Sequence, residues 1–207
     1  MNPKTKSLVA ILIIIVVFIL SSYFAQKNQD KLEILINTGI SGLLLYIFVV
    51  VIAEVIAPIT AMPLLPIVSN TWGWLTAAIT SIIGWTLGAW IAFAIARKYG
   101  VPLVKKFIPL KKLEKIEKRI PQKHLFWGVV FLRISIPVDI LSYTLGLFTK
   151  MKTYPYLIAT LIGVTPFAFI FAYAGTLPIG YQIIAAAIAA AIFLISYFIF
   201  RKKKEKR

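Results

Sequence analysis

The sequence predicts an all-α integral membrane protein, and three observations lead to this prediction. Hydrophobic residues occupy 60% of the 207 positions and the mean hydropathy is +0.88, whereas a soluble domain contains about 45–50% apolar residues. The polar stretches are too short to bury a core of their own. Lysine and arginine, which give the chain a net charge of +16, are concentrated in those stretches. The apolar residues form six blocks: 8–25, 34–57, 74–96, 125–149, 153–175 and 178–200.

The first apolar block, 8–25, is predicted to be a retained transmembrane anchor. Lys4 and Lys6 precede it, as in a signal peptide. Cleavage before Gln26 would however place the bulky Tyr23 at a position that requires a small residue. The block is close to the length of about 20 residues that crosses a bilayer. Residues 1–33 are therefore assigned to an N-terminal cytoplasmic start and this anchor.

Positively charged segments set the predicted topology, because lysine and arginine favour the cytoplasmic side of a membrane. They cluster at the N-terminus, within 97–123 and in the C-terminal "RKKKEKR", so both termini and 97–123 are predicted to be cytoplasmic. The number of apolar blocks then requires one block in each half of the chain to enter and leave the membrane on the same side. Prolines interrupt two blocks and prevent a continuous helix there. The predicted hairpin-forming residues are Pro58, Pro63, Pro66, Pro137 and Gly146.

The predicted fold is an inverted repeat of two opposed re-entrant helical hairpins, each followed by a transmembrane helix, with a further transmembrane helix at each end of the chain. Many secondary transporters have an inverted repeat of this kind. A shift of 79 positions supports the repeat, and chance matching of two Val/Ile-rich segments is the alternative. The shift superimposes Glu54 on Arg133, Pro58 on Pro137 and Gly84 on Gly163.

The central domain is predicted to span 34–180. Its predicted segments are a re-entrant segment 34–73, a span 74–96, a basic cytoplasmic amphipathic loop 97–123, a re-entrant segment 124–149 and a span 153–175. Residues 181–207 are predicted to form a C-terminal transmembrane helix and a basic tail.

Three charged residues within the apolar blocks, Glu54, Arg133 and Asp139, form the predicted transport or substrate path. A charge in hydrocarbon is costly, so such a residue faces a cavity or a partner. Arg133 is thus either a functional cation or the partner of Asp139 or Glu54 in a structural ion pair. Asp139 could instead cap the half-helix that follows Pro137, and Glu54 could lie in water near a mouth. Since equivalent positions face each other near the axis of an inverted repeat, Glu54 and Arg133 are predicted to approach near the middle of the membrane, with Asp139 as a second partner of the arginine.

Segment 110–120, "LKKLEKIEKRI", places leucine and isoleucine at helical spacing with lysines elsewhere. This pattern predicts an interfacial helix on the cytoplasmic leaflet, and a solvated linker is the alternative. The predicted contacts with anionic lipid are Lys105, Lys106, Lys111, Lys112, Lys115, Lys118 and Arg119. Four glycines are predicted to allow close packing of helices: Gly73, Gly84, Gly88 and Gly163.

The sequence argues against several other kinds of site. "GISG", with Gly39, Ser41 and Gly42, matches the G-x-S-G of intramembrane serine proteases. The single histidine, His124, is predicted to lie on the opposite side of the membrane, and a general base must lie within about 3 Å of its nucleophile. One histidine and no cysteine cannot build the usual metal sites. We therefore expect no enzymatic activity, no metal and no cofactor, and no nucleic-acid partner, because no basic groove interleaved with aromatic residues is visible.

Two segments, "ITAMPLLPIVSNTWGWLTAAITSIIGWTLGAWIAFAIARKYG" and "FLRISIPVDILSYTLGLFTKMKTYPYLIATLIGVTPFAFIFAYAG", resemble the VTT domain of the DedA / SNARE-associated Golgi protein superfamily. The resemblance covers roughly residues 55–180 and is closest to the vacuolar-trafficking-protein-like branch. The second segment is the more specific, because Arg133, Pro137, "DILSY" and Gly163 follow in the order of the family pattern. A second arginine, present in many bacterial members, does not occur between 125 and 149.

The resemblance implies a protein that moves lipids across the bilayer. The expected activity is that of a translocase or scramblase for phospholipid or polyprenyl-phosphate-type lipids, with proton coupling left open. Arg133 matches the arginine that the family places before the proline. The expected partners are membrane lipids with anionic headgroups, and the expected location is the plasma membrane of a prokaryote. The residues are also compatible with two other classes of function. One is a non-transporting scaffold that recruits partners or anionic lipid through its basic loop, and the other is a small-solute or ion secondary transporter on the same fold.

Overall fold

The computed structural model describes residues 3–35, 39–56, 61–105, 108–118, 120–121, 124–135 and 138–188, and among these residues it contains helices and no strand. The helices are α1 (Pro3–Lys27), α2 (Gln29–Leu35), α3 (Ile40–Val55), α4 (Leu65–Trp72), α5 (Trp74–Val104), α6 (Leu110–Glu117), α7 (Leu125–Ser135), α8 (Val138–Phe148), α9 (Thr153–Thr176) and α10 (Ile179–Ile188). A 3₁₀ turn, Met62–Leu64, precedes α4. The prediction of an all-α fold is confirmed.

Two long helices, α5 and α9, form the centre of the fold and run antiparallel. Trp74 at the start of α5 makes an edge contact with Tyr173 near the end of α9, with 5.8 Å between the ring centroids. At the other end, the Arg97 guanidinium donates to the backbone carbonyls of Thr149 and Met151, just before α9 begins. Both helices are long and apolar enough to cross a membrane.

Small residues allow α5 and α9 to approach each other and their neighbours closely. Lipid tails are as apolar as leucine, so helices in a membrane associate through van der Waals packing, which small side chains favour. The buried small residues on these two helices include Ala77, Ala78, Gly84, Gly88, Ala89, Ala92 and Ala96 on α5, and Ala159, Gly163, Ala168, Ala172 and Gly175 on α9.

Helix α5 extends beyond the predicted span 74–96 and reaches Val104. Gly100 interrupts it with non-helical angles, φ 65° and ψ −163°, and Pro102 follows. Glycine adopts a positive φ without the steric cost that a Cβ brings, so the chain bends at this position. Arg97 therefore lies on the last regular turn of α5 and not in a loop.

The first half of the central domain contains α3, the 3₁₀ turn and α4. Helix α3 runs parallel to α5, because Val50 packs against Gly84 and Glu54 packs against Gly88 one turn further along both helices. It ends at Val55, and Pro66 lies in the first turn of α4, where proline favours the start of a helix. Pro63 lies in the 3₁₀ turn. Pro58 lies outside the described residues.

Gly73 was predicted to serve helix packing, but it makes the turn between α4 and α5. Its φ is 85°, and no atom lies within 4 Å of the position that a Cβ would occupy. A positive φ is the reason for glycine here, because a side chain would be strained in this conformation even though space is available.

The second half of the central domain contains α7, which ends at Ser135, and α8, which begins at Val138. Pro137, predicted to form the hairpin, lies outside the described residues. Helix α7 packs against α9, and α8 packs against α5. Gly146, predicted to form the hairpin, lies inside α8. A Cβ at Gly146 would lie 2.5 Å from the carbonyl oxygen of Phe93, so this glycine allows α8 to pack directly on the backbone of α5.

The surface and the interior of the helix bundle have the polarity expected of a membrane protein. Large apolar side chains are exposed along both central helices, whereas serine, threonine and charged side chains are buried between the helices. A soluble protein rarely exposes so much contiguous apolar surface. The exposed residues include Ile79, Ile83 and Leu87 on α5 and Leu161, Ile162 and Ile170 on α9, and the buried polar residues include Glu54, Ser81, Arg133, Ser142 and Thr160.

The basic segment forms a helix, as predicted, but its apolar side packs on protein. Leu113 of α6 is fully buried in a cluster with Val104, Ile108 and Tyr143, and Ile120 is buried against residues of α5, α7 and α8. The prediction that the apolar face lies in the lipid leaflet was wrong for these residues. The sequence does not separate the two cases, because an amphipathic helix can bury the same face against protein or lipid.

A polar cluster joins the ends of α1 and α4 and the start of α10 to the end of α9. The Gly175 carbonyl accepts a hydrogen bond from Ser22 Oγ at 2.8 Å and from Asn70 Nδ2 at 2.9 Å. Gln182 Nε2 donates to Ser22 Oγ at 2.6 Å and to the Leu177 carbonyl at 2.8 Å. These contacts place the chain near residues 22–27 and the connection from α9 to α10 at the same end of the bundle.

Candidate functional site around Arg133

Arg133 lies in the last turn of α7 and is enclosed by other helices. Only 2% of its surface is exposed. Its Nη2 donates to Tyr156 OH at 2.7 Å, Ser142 Oγ at 3.0 Å and Thr160 Oγ1 at 3.2 Å. These hydroxyls are neutral acceptors. They help to solvate the guanidinium, whose planar N–H donors also form charge-assisted hydrogen bonds with anions such as carboxylate and phosphate.

The helix packing around Arg133 depends on Gly163. A Cβ at this glycine would lie 2.5 Å from Arg133 Cβ and 3.2 Å from the Val130 carbonyl oxygen. Tyr156, Thr160 and Gly163 are separated by four and three residues and therefore lie on one face of α9. This face presents two hydroxyls and a gap for the arginine.

Tyr156 connects Arg133 to the central helix α5. Its hydroxyl donates to the Ala89 carbonyl at 2.9 Å while it accepts from Arg133. The tyrosine is fully buried, so both roles of its hydroxyl are met within the protein. Three helices, α5, α7 and α9, meet at this one phenol.

Glu54 is the second buried charged residue, with 5% of its surface exposed. Its Cβ packs against Gly88, where a Cβ would lie 2.5 Å away. Gly88 precedes Ala89, whose carbonyl accepts the Tyr156 hydroxyl. Glu54 and the bonded pair of Arg133 and Tyr156 therefore contact the same turn of α5.

Tyr143 links α8 to the end of α3, immediately after Glu54. Its hydroxyl donates to the Val55 carbonyl at 2.7 Å. The last carbonyls of a helix have no partner within the helix, and Tyr143 satisfies one of them where α3 ends. The two halves of the central domain are thus joined beside the acidic residue.

A comparison with protein families identifies the fold. The model of the VTT domain matches residues 57–177, more than half of the chain. The chain belongs to the VTT domain family. This agrees with the predicted membership of the DedA / SNARE-associated Golgi protein superfamily. No curated protein and no solved structure matches the chain.

Arg133, Ser142, Tyr156, Thr160 and the glycine beside Arg133 all lie within the VTT domain. Glu54 lies three positions before it. VTT domain proteins are membrane proteins, which fits the apolar outer surface and the buried polar residues described above. The VTT domain thus contains the three hydroxyl residues that bind the arginine.

The structure brings together some of the predicted site residues and leaves others untested. Glu54 and Arg133 are both buried. Glu54 contacts Gly88 of α5, and Arg133 is linked to the neighbouring Ala89 through the Tyr156 hydroxyl. Their direct pairing stays a prediction. Asp139 is the second residue of α8, and its side chain lies outside the described part of the chain. Gly84 packs against Val50 and not against Glu54. Gly88 is the glycine beside Glu54, so it relates to Glu54 as Gly163 relates to Arg133.

Among the predicted lipid contacts, Lys105 and Lys118 are exposed. The others, Lys106, Lys111, Lys112, Lys115 and Arg119, lie wholly or with their side chains outside the described part of the structure. Ser41, near the start of α3, and His124, immediately before α7, are both exposed.

Sequence reasoning missed the three hydroxyl residues around Arg133. Ser142 lies in the "DILSY" segment, three positions after the more conspicuous Asp139. Tyr156 and Thr160 are polar residues four positions apart on an otherwise apolar helix. That spacing places them on one helix face, and it was the available signal.

Proposed function

We propose that this VTT domain protein is a lipid translocase or scramblase that moves phospholipid or polyprenyl-phosphate-type lipids across the bilayer. The observation that supports this proposal most is the burial of Arg133 within an apolar helix bundle, where three hydroxyl groups bind its guanidinium. A lipid phosphate is an anion with several acceptor oxygens, and arginine binds phosphate strongly through its planar donors. The phosphate can compete with Ser142, Tyr156 and Thr160 for the guanidinium while the acyl chains stay in the apolar surroundings.

The acidic residues of the proposed path provide the competing charge. Glu54, and Asp139 as a second partner, balance Arg133 when no headgroup is bound. A headgroup phosphate then displaces a carboxylate, which can take up a proton, because burial disfavours a charged carboxylate. Proton coupling is the part of the proposal that depends on Glu54. No chemical change of the lipid is involved, so the protein is a transporter and not an enzyme.

The proposed architecture is the inverted repeat of two opposed re-entrant hairpins. The packing of the helices supports it: α3 packs on α5 as α7 packs on α9, and α4 packs on α9 as α8 packs on α5. The glycine contacts support it too, because Gly88 packs against Glu54 and Val51 as Gly163 packs against Arg133 and Val130. Both pairs of contacted residues are related by the shift of 79 positions, whereas the two glycines are 75 positions apart. The predicted match of Gly84 with Gly163 is therefore replaced by a match of Gly88 with Gly163. The substrate path then lies at the interface of the two repeats.

The proposed orientation places both termini in the cytoplasm, with the polar cluster around Gly175 outside. Aromatic residues at the two ends of the central helices fit the interfacial belts of membrane proteins. Trp74, Tyr173 and Tyr181 are exposed at one end, and Tyr99 and Tyr154 at the other. The proposed location is the plasma membrane of a prokaryote, with the vacuolar-trafficking-protein-like branch as the proposed relationship within the family.

Cysteine labelling in intact cells tests this orientation, since the chain contains no cysteine of its own. Lys105→Cys is expected to resist an impermeant thiol reagent until the cells are opened, because 97–123 is proposed to be cytoplasmic. Lys31→Cys, exposed near the other end of the bundle, is the matched position that should react in intact cells. Reaction of Lys105→Cys in intact cells would show that the proposed orientation is wrong.

The basic segment around α6 is expected to attract anionic lipid. A basic residue near a membrane surface contributes about 1 kcal/mol, which corresponds to roughly a fivefold change in affinity. The joint change of Lys105 and Lys118 to glutamine is therefore expected to weaken binding of phosphatidylglycerol to the purified protein, measured by native mass spectrometry. The matched control changes Lys105 and Lys118 to arginine, which keeps both positive charges and is expected to retain binding of phosphatidylglycerol. Equal binding of phosphatidylcholine and phosphatidylglycerol to the unchanged protein would refute the electrostatic part.

Two other functions make different predictions in reconstituted liposomes. A non-transporting scaffold gives no lipid flipping above that of empty liposomes. A small-solute or ion transporter gives solute flux without flipping. A panel of fluorescent lipids with different headgroups, tested with and without a pH gradient, separates these classes and also identifies the lipid and any proton coupling.

A further inference from the structure

A column of four side chains connects the end of α5 to Arg133. The guanidinium carbon of Arg97 lies 4.3 Å from the ring centroid of Phe93. Phe93 stacks on Tyr156, with 4.0 Å between centroids and 15° between the ring planes. The guanidinium carbon of Arg133 lies 5.6 Å from the Tyr156 centroid. Both guanidinium groups are within the range of attraction to an aromatic ring.

Helix α5 holds Tyr156 at two points. Ala89, Phe93 and Arg97 follow one another at intervals of four residues and therefore lie on one helix face. The first accepts the Tyr156 hydroxyl through its carbonyl, and the second stacks on the Tyr156 ring. These two contacts fix the ring plane of Tyr156 and the direction of its hydroxyl independently of Arg133.

Arg97 also holds the connection between α8 and α9. Its Nη1 donates to the Met151 carbonyl at 2.5 Å and its Nη2 to the Thr149 carbonyl at 2.6 Å. Ser142 lies on α8, which enters this connection, and Tyr156 and Thr160 lie on α9, which leaves it. The three hydroxyl residues that bind Arg133 therefore lie on α8 and α9, and Arg97 bonds the connection between these two helices to α5.

From this geometry we infer that Arg97 and Phe93 are positioning residues for Arg133. They act through Tyr156 and through the α8–α9 connection. They thereby hold the hydroxyl cage, formed by Ser142, Tyr156 and Thr160, in contact with the guanidinium. The role in lipid binding rests on the proposed function, but the positioning itself concerns only the protein. Arg97 is exposed, so the positioning residue lies at the end of the bundle while the arginine that it positions is buried.

Chemical modification of Arg133 tests this inference without any transport assay. The folded wild-type protein in detergent is treated with phenylglyoxal, which modifies accessible arginines, and the modification of Arg133 is quantified by peptide mass spectrometry. Arg97→Gln is expected to raise the modification rate of Arg133 several-fold, because glutamine has no positive charge and a single amide nitrogen in place of the two guanidinium nitrogens that bind Met151 and Thr149. Lys98→Gln removes the neighbouring exposed cation and is expected to leave the rate unchanged.

Two substitutions of Phe93 provide the second measurement. Phe93→Leu removes the ring and is expected to raise the modification rate of Arg133, whereas Phe93→Tyr keeps a ring and is expected to restore protection. Each variant is compared only if its melting curve shows a single folded transition. Unchanged modification of Arg133 in both Arg97→Gln and Phe93→Leu would overturn the inference.

Lipid flipping by the same preparations separates the two proposals. Faster modification of Arg133 in Arg97→Gln, together with a wild-type protein that does not flip lipid, supports the positioning role and contradicts the proposed function. Flipping by the wild type together with unchanged modification in both variants contradicts the positioning role alone.

Discussion

Arg133→Ala is expected to abolish lipid flipping in proteoliposomes and to lower the melting temperature of the purified protein. The alanine removes the positive charge that the phosphate would bind, and it leaves the cage of Ser142, Tyr156 and Thr160 without its donor. It also leaves the proposed partner carboxylate, Glu54 or Asp139, buried without its counter-charge, which costs about 3–5 kcal/mol. The loss of flipping is expected even in a fraction of the protein that folds.

Two comparisons make the Arg133→Ala result specific. Lys98→Ala removes an exposed cation and is expected to retain flipping. Glu54→Gln keeps the shape of the side chain and one acceptor oxygen but removes the charge and the site that can take up a proton. It is expected to have a milder effect on flipping and to abolish any dependence of flipping on a pH gradient. Flipping at the wild-type rate by Arg133→Ala would show that Arg133 is not part of the substrate path.

Gly163→Ala is expected to impair both folding and flipping. The added methyl would lie 2.5 Å from Arg133 Cβ and 3.0 Å from its Cγ. These atoms are close to the backbone and cannot swing aside, so α7 must move away from α9. Overpacking of this kind costs about 1–3 kcal/mol, and the same movement shifts the guanidinium away from Tyr156 and Thr160.

Gly180→Ala is the matched control for Gly163→Ala. Gly180 lies in α10, and no atom lies within 4 Å of the position of its added Cβ. Its melting temperature and flipping rate are expected to equal those of the wild type. A wild-type melting temperature and flipping rate of Gly163→Ala would mean that α7 can move away from α9 without loss of function. The close contact of Gly163 with Arg133 would then not be required.

The sequence predicted the helices and their interruptions better than it predicted the partners of the buried residues. Prolines and glycines act on the local backbone, so the ends of α3 and α7 could be located from Pro58 and Pro137. Which face of α5 or α9 points inwards could not be predicted, because a helix that is apolar on all sides shows no periodic pattern. The same difficulty explains α6, whose apolar face was assigned to lipid although Leu113 packs on protein.

Charged residues were easier to predict than their neutral partners. Glu54 and Arg133 stand out in an apolar sequence because each is costly to bury, and the structure buries both. Serine and threonine in helices often donate to a carbonyl of their own helix, as Thr144 does to the Ile140 carbonyl, and tyrosine is frequent at membrane interfaces. Only the packing of α7, α8 and α9 distinguishes the three hydroxyls that bind Arg133 from such residues.

The measurement that tests lipid translocation most directly is the bleaching of fluorescent phosphatidylglycerol by dithionite in proteoliposomes. Dithionite does not cross the bilayer, so empty liposomes and liposomes with Arg133→Ala are expected to lose only the fluorescence of the outer leaflet. Liposomes with the wild-type protein are expected to lose nearly all of it, because lipid from the inner leaflet reaches the outer one. Bleaching that stops at the outer leaflet with correctly folded wild-type protein, for every headgroup tested, would contradict the proposed function.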